Sequence, residues 1–167
     1  GVTYRVLAER EVEPKDNFKR SVTALEEAVR LCKEEQNWEE YALAQNSLGA
    51  TYGALAERGV EPKDNFKRSV AALKEAGGLR KKQQNWTEYV RVQNNLGLIY
   101  RLLAERGVEP EDNLKRSVTT IEEAARLGKE QQNWTGYARA KSNLGGTYLR
   151  LAQLEVGDAR VDALVQY

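Results

Sequence analysis

Arg91 and Arg139 carry the most pointed chemistry in this sequence: they stand 48 residues apart, one followed by Asn94 and Asn95 and the other by Asn143. Guanidinium and amide donors arrayed this way suit carboxylates, which Arg can grip through two parallel N–H···O bonds. The alternative is that the arginines are solvated or paired with neighbouring glutamates, which on an exposed surface contributes little. A second recurring set is Lys19-Arg20, Lys67-Arg68 and Lys115-Arg116, a possible ridge for a polyanion. Glu61, Asp64, Glu109 and Asp112 lie close enough to neutralise it, and no aromatic residues interleave with it for base stacking, so nucleic acid is not the expected partner. Trp38, Trp86 and Trp134 form a ladder, in which each indole is expected to pack its loop against the next unit with its N–H on a carbonyl.

Catalytic chemistry is poorly supplied. The chain has no His, no Met and one Cys, Cys32, whose equivalents are Arg80 and Gly128, so it has no partner to activate it or to share a metal. Adjacent carboxylates such as Glu26-Glu27 or Glu39-Glu40 project about 100° apart on a helix, poor geometry for an acid and a base flanking one bond. Gly77-Gly78 does not make a phosphate loop. The expectation is a protein without catalytic residues, metal or cofactor. Lys plus Arg is 26 and Asp plus Glu 25, so no global field draws the chain to nucleic acid or to an anionic membrane. No apolar run approaches the roughly 20 residues of a membrane span. A soluble cytoplasmic protein is expected, consistent with the single cysteine.

The elements that must position these residues follow from a repeat. Asn17-Phe18-Lys19-Arg20-Ser21-Val22 returns as Asn65 to Val70 and, with Leu for Phe, as Asn113 to Val118; Gln36-Asn37-Trp38 and Leu48-Gly49 return at the same offset. About 60% of positions agree between residues 49–96 and 97–144, which points to duplication of one unit. From Trp38 to about Arg58, Tyr41, Ala44, Leu48, Thr51, Tyr52 and Leu55 fall at spacings of three and four, the stripe of an amphipathic helix. This is the A helix, capped by Asn37 with Glu40 three residues on. Gly59-Val60-Glu61-Pro62-Lys63-Asp64 then supplies a left-handed glycine, a proline and an Asp cap. From Asn65 to about Lys82, Phe66, Val70, Leu73, Ala76 and Leu79 form the stripe of a B helix. Such a pair cannot bury its apolar face alone, so pairs must stack into an all-α solenoid. Gly49, Gly97 and Gly145 in A helices, and Ser69, Ala76, Ser117 and Ala124 in B helices, suit close helix approach.

Leu48-Gly49…Tyr52 with Ser69…Leu73…Ala76, and Leu96-Gly97…Tyr100 with Ser117…Ile121…Ala124, resemble the tetratricopeptide repeat; Gly1…Tyr4 with Ser21…Leu25…Ala28 supplies a further copy. The resemblance covers nearly the whole chain. The unit is 48 residues rather than the usual 34, and the closing proline is replaced by the Gln-Asn-Trp turn. That variant resembles the long repeats of large bacterial, notably cyanobacterial, proteins, where strings like Gln93-Asn94-Asn95-Leu96-Gly97 recur. The resemblance implies a right-handed superhelix of antiparallel helix pairs, with a non-catalytic role as a protein–protein interaction scaffold. It also implies a peptide or protein segment, acidic or C-terminal, held on the concave A-helix surface. Carried residue by residue, the expected peptide-binding set is Arg91, Asn94, Asn95, Leu98, Arg101, Arg139, Asn143 and Arg150. A complete carboxylate clamp is absent, since Asn46 and Ala50 stand where its first Lys and Asn would be.

Residues 1–167 read as a single repeat domain with units 1–48, 49–96 and 97–144 and a partial unit 145–167. Neither end has the look of a polar cap, so a fragment of a longer array is expected; a short protein with atypical terminal repeats is the other reading. Residues 156–167 lack the Gly-Val-Glu-Pro turn, and Ala163…Tyr167 reads as the opening of a B helix. Head-to-tail stacking of such ends, without any separate ligand, is the alternative function.

Overall fold

The computed structural model describes residues 14–165 in six helices, with side-chain surroundings described for residues 16–156. In chain order these are α1 (Pro14–Glu34), α2 (Trp38–Glu57), α3 (Pro62–Lys82), α4 (Trp86–Glu105), α5 (Pro110–Glu130) and α6 (Trp134–Val165). The even-numbered elements are A helices and the odd-numbered ones B helices. Among the described residues there is no strand, and each helix packs on the next, as an all-α repeat solenoid requires. The first unit's Gly1…Tyr4 lies outside the described residues.

Both kinds of turn are fixed by local chemistry. After each A helix, Gly59 and Gly107 take φ of +80° and +75°, which a side chain would resist. Val60 and Val108 then donate back to Leu55 and Leu103, closing the Schellman pattern. After each B helix the same closure is made by a glutamine: Gln36, Gln84 and Gln132 are left-handed, and Asn37, Asn85 and Asn133 donate to the carbonyls of Cys32, Arg80 and Gly128. Those asparagines also cap the A helices, their Oδ1 accepting from the amides of Glu40, Glu88 and Gly136, as the capping reading expects.

The start of the B helix differs from the sequence expectation. Asp64 is not the cap. The helix begins at Pro62, whose fixed φ suits the first helical position, after Glu61, which is left-handed with no side-chain cap. The repeated asparagine stabilises this entry from inside the helix, Asn65 Nδ2 donating to the Val60 carbonyl at 2.8 Å and Asn113 Nδ2 to Val108 at 2.7 Å. Lys67-Arg68 and Lys115-Arg116 consequently sit in the second turn, where the dipole that would oppose them has weakened.

Of the three mid-helix glycines, Gly49 and Gly97 have the packing reason expected of them, whereas a Cβ on Gly145 would meet nothing within 4 Å. A Cβ on Gly49 would stand 2.6 Å from Leu73 Cγ, and one on Gly97 2.3 Å from Ile121 Cγ1. Across the same contact Ser69 Oγ donates to the Gly49 carbonyl at 2.7 Å and Ser117 Oγ to the Gly97 carbonyl at 2.8 Å. Each A–B pair is thereby drawn together around a core that includes Leu73, Ala76, Val92, Leu96 and Ile99. Burying each of the large aliphatic side chains contributes about 1.5–3 kcal/mol.

Between units the two layers behave differently. Consecutive A helices touch, whereas consecutive B helices share at most a marginal contact. The units are therefore closer on the A side, and the array curves toward it. At the C-terminal end α6 continues to Val165 through the register where a turn and a new B helix were expected. Glu155-Val156-Gly157-Asp158 stands there in place of Gly-Val-Glu-Pro, so no proline ends the helix.

Candidate functional site

Of the eight expected site residues, Arg91, Asn94 and Arg139 are brought together at one pocket. Arg91 projects from α4 and Arg139 from α6 into a pocket of about 270 Å³ that Glu88, Asn133 and Thr135 also line. One terminal nitrogen of Arg91 pairs with Glu88, and its Nε is buried with no hydrogen-bond partner. Arg139 is exposed and makes no side-chain ion pair among the described residues. The pocket therefore holds two guanidinium groups against one carboxylate.

The asparagines do different work. Asn94 is 1% exposed; its Nδ2 donates to the Val90 carbonyl at 3.0 Å, and its Oδ1 accepts from Asn143 Nδ2 on α6 at 3.3 Å. One unit earlier, Asn95 Nδ2 donates to Asn46 Oδ1 on α2 at 3.0 Å. The three amides that the sequence offers as ligand donors thus form a ladder from one A helix to the next. Adjacent Asn94 and Asn95 reach in opposite directions along the array, a division of labour that single-helix spacing does not reveal.

Arg101 and Arg150 converge elsewhere, on Glu105. Its Oε1 lies 3.0 Å from Arg150 Nε and 3.8 Å from Arg101 Nε, and Arg101 also lies over Gly146, where a Cβ would meet its guanidinium. Here the paired-arginine alternative describes the geometry. Leu98 and Asn95 line a separate pocket of about 210 Å³ between α2 and α4, with Ala50, Gly53 and Glu57. The expected residues line separate small pockets along the A layer.

The remaining expectations divide. Trp38, Trp86 and Trp134 each stand edge-on to a tyrosine three residues ahead, Tyr41, Tyr89 and Tyr137, with centroids 5.7–6.3 Å apart. Trp86 packs on the core, but Trp38 and Trp134 are 44% and 59% exposed, and no indole hydrogen bond occurs among the described residues. The ring leans on its own helix, so the expected loop-to-unit packing holds for Trp86 alone. The Lys-Arg ridge is partly neutralised: Arg116 pairs with the expected Glu109 at 3.7 Å, while Lys115 pairs with Glu111, which the sequence did not single out. Among the described residues no cluster of His, Cys, Asp or Glu is arranged to hold a metal, and no helix is long and apolar enough to cross a membrane.

Tyrosine–glutamate pairs fasten helix to helix. Tyr41 Oη donates to Glu75 at 2.5 Å and Tyr89 Oη to Glu123 at 2.9 Å within an A–B pair, while Tyr52 Oη donates to Glu26 at 2.6 Å and Tyr148 Oη to Glu122 at 2.9 Å between an A helix and the B helix before it. Burial and the adjacent carboxylate raise the phenol pKa of Tyr41, Tyr52 and Tyr89 above the usual value. The bond to Glu122, followed by partial burial, does the same for Tyr148.

Lys74 occupies the register of Glu26 and Glu122, a departure that the shared motifs of the repeat do not mark. Comparing the units by charge, rather than by identity, would have singled it out. Compared with known proteins, the chain is matched by no family model, and no curated protein is significantly similar to it.

Proposed function

We propose that the chain is a non-catalytic interaction scaffold of the tetratricopeptide-repeat kind, which binds an acidic or C-terminal peptide segment on its A-helix face. The observation that supports this most is the pocket shared by Arg91 and Arg139. The Arg91 guanidinium, with one terminal nitrogen on Glu88, and the exposed, unpaired Arg139 guanidinium line one pocket, where a carboxylate would meet two cationic donors. Leu98 in the neighbouring pocket supplies an apolar contact for a side chain further along the segment.

The test is affinity capture from a cell lysate at low and moderate salt, beside an Arg91→Glu/Arg139→Glu variant whose helicity is verified first. Proteins retained by the parent and lost by the folded variant support the reading; identical captured sets, or none, remove it. A specific observation favours a second reading, end-to-end stacking. Tyr148 on α6 is 47% exposed, against 5% and 6% for its equivalents Tyr52 and Tyr100, and Gly145 has no neighbour where Gly49 and Gly97 meet a B helix. Sedimentation that stays monomeric at high concentration would rule stacking out.

A further inference from the structure

A cavity of about 680 Å³ lies on the opposite layer, between B helices α3 and α5. That is the size of a small-molecule site. Its floor is apolar, formed by buried Phe66 and Tyr100 and half-buried Val70 and Leu103, and its rim carries the exposed Lys63, Lys67 and Lys74. None of these three lysines makes an ion pair among the described residues.

The reason for the cavity is visible by comparing units. In the gap one unit earlier, Tyr52 is held by Glu26, Arg68 lies 5.5 Å over the Tyr52 ring, and Arg58 lies 5.0 Å over the Phe18 ring. A carboxylate, a phenol and two guanidinium groups are thus engaged with one another and with the aromatic rings there. At the middle gap Lys74 replaces the carboxylate. Tyr100 Oη then has no acceptor and makes no hydrogen bond among the described residues. Arg116, the equivalent of Arg68, has a like charge where Arg68 has Glu26, and it pairs with Glu109 instead. Arg106, the equivalent of Arg58, donates to the Glu57 carbonyl rather than covering Phe66. With the charge reversed at Lys74, an unused phenol and ammonium groups without ion pairs among the described residues stand beside the apolar floor.

We propose that this cavity binds a small amphiphilic carboxylate, its apolar body on Phe66, Val70 and Leu103, and its carboxylate between Lys74 Nζ and Tyr100 Oη. The carboxylate supplies the acceptor that Glu26 and Glu122 supply in the flanking units. The apolar floor is what distinguishes this ligand from a simple anion.

Decanoate below its micelle concentration, titrated calorimetrically into the full chain, is the probe. One-to-one binding is expected, with the decanoate methyl ester and decyltrimethylammonium at the same concentration giving none. Lys74→Glu restores the tyrosine–glutamate pattern, so it should fold at least as stably as the parent while weakening decanoate at least about tenfold. Tyr100→Phe, which keeps the ring in the floor, should weaken it about three- to tenfold. Equal binding of the cationic amphiphile, no decanoate binding at millimolar concentration, or unchanged affinity in folded Lys74→Glu or Tyr100→Phe overturns the proposal.

Discussion

Gly97 and Gly145 occupy the same position in successive units and have the same neighbours in sequence, Leu before and an A helix around them, yet substitution by Ala should move stability in opposite directions. At Gly145 a new Cβ meets nothing within 4 Å, so Gly145→Ala gains the helix propensity of Ala, up to about 1 kcal/mol. At Gly97 the same methyl would stand 2.3 Å from Ile121 Cγ1 and 2.9 Å from Cδ1, inside ordinary contact distance of 3.4–4 Å. Ile121 is fully buried, and its branch at Cβ restricts χ1, so Cγ1 cannot swing away from the new methyl. Overpacking of this kind costs about 1–3 kcal/mol, which outweighs a propensity gain of about 1 kcal/mol and leaves Gly97→Ala neutral to destabilising by about 2 kcal/mol. Thermal unfolding followed by helix circular dichroism should show Gly145→Ala raised and Gly97→Ala lowered, each kcal/mol moving Tm by about 2–4 °C at this size. If both variants rise equally, the close A–B approach does not exist and the account of the repeated glycine is wrong.

Two further outcomes follow from the hydrogen bonds. The phenols of Tyr41, Tyr52, Tyr89 and Tyr148 have folded pKa values raised above the unfolded value of 10.0, so their contribution is fully present below pH about 10 and is lost as pH rises through the raised folded values. Urea midpoints measured from pH 8 to 11 should fall above pH 10, with a smaller fall in Tyr89→Phe; a flat profile would contradict the pairing. Asn94→Ala should cost about 1–3 kcal/mol in a urea melt, since it strips a buried partner from Asn143 and from the Val90 carbonyl; a variant as stable as the parent would return Asn94 to the list of free ligand donors.

Much of the fold is legible in the sequence because the unit carries its punctuation in residue types with few alternatives: Gly59 and Gly107 for the left-handed turn, Asn37 and Asn85 for the cap, and stripes at spacings of three and four. The B-helix start was misplaced because Asp64 and Pro62 both signal a beginning, and local propensity does not weigh a cap against a proline when Asn65 binds the turn from within. The glutamine at Gln36, Gln84 and Gln132 was missed as a left-handed residue, since its type carries no such preference. For the site, identity of Arg91 and Arg139 under the 48-residue shift sufficed to place them together. The asparagines misled, because facing the next unit and facing solvent share one periodicity. Lys74 was overlooked for a related reason: a repeat draws attention to what is conserved between its copies, and this cavity arises where one copy departs.

The unequal joining of the two layers has a mechanical consequence. Asparagine amides stitch neighbouring A helices edge to edge, while the B helices stand apart, so the chain is bound along one margin like the leaves of a book. Opening the free margin breaks little between B helices themselves, and is resisted chiefly by the packing of each B helix on the next A helix; small rotations at successive units add. Tension on the two ends should therefore be taken up first as a fanning of the B helices about the asparagine spine, which makes the array a compliant spring before any helix unfolds.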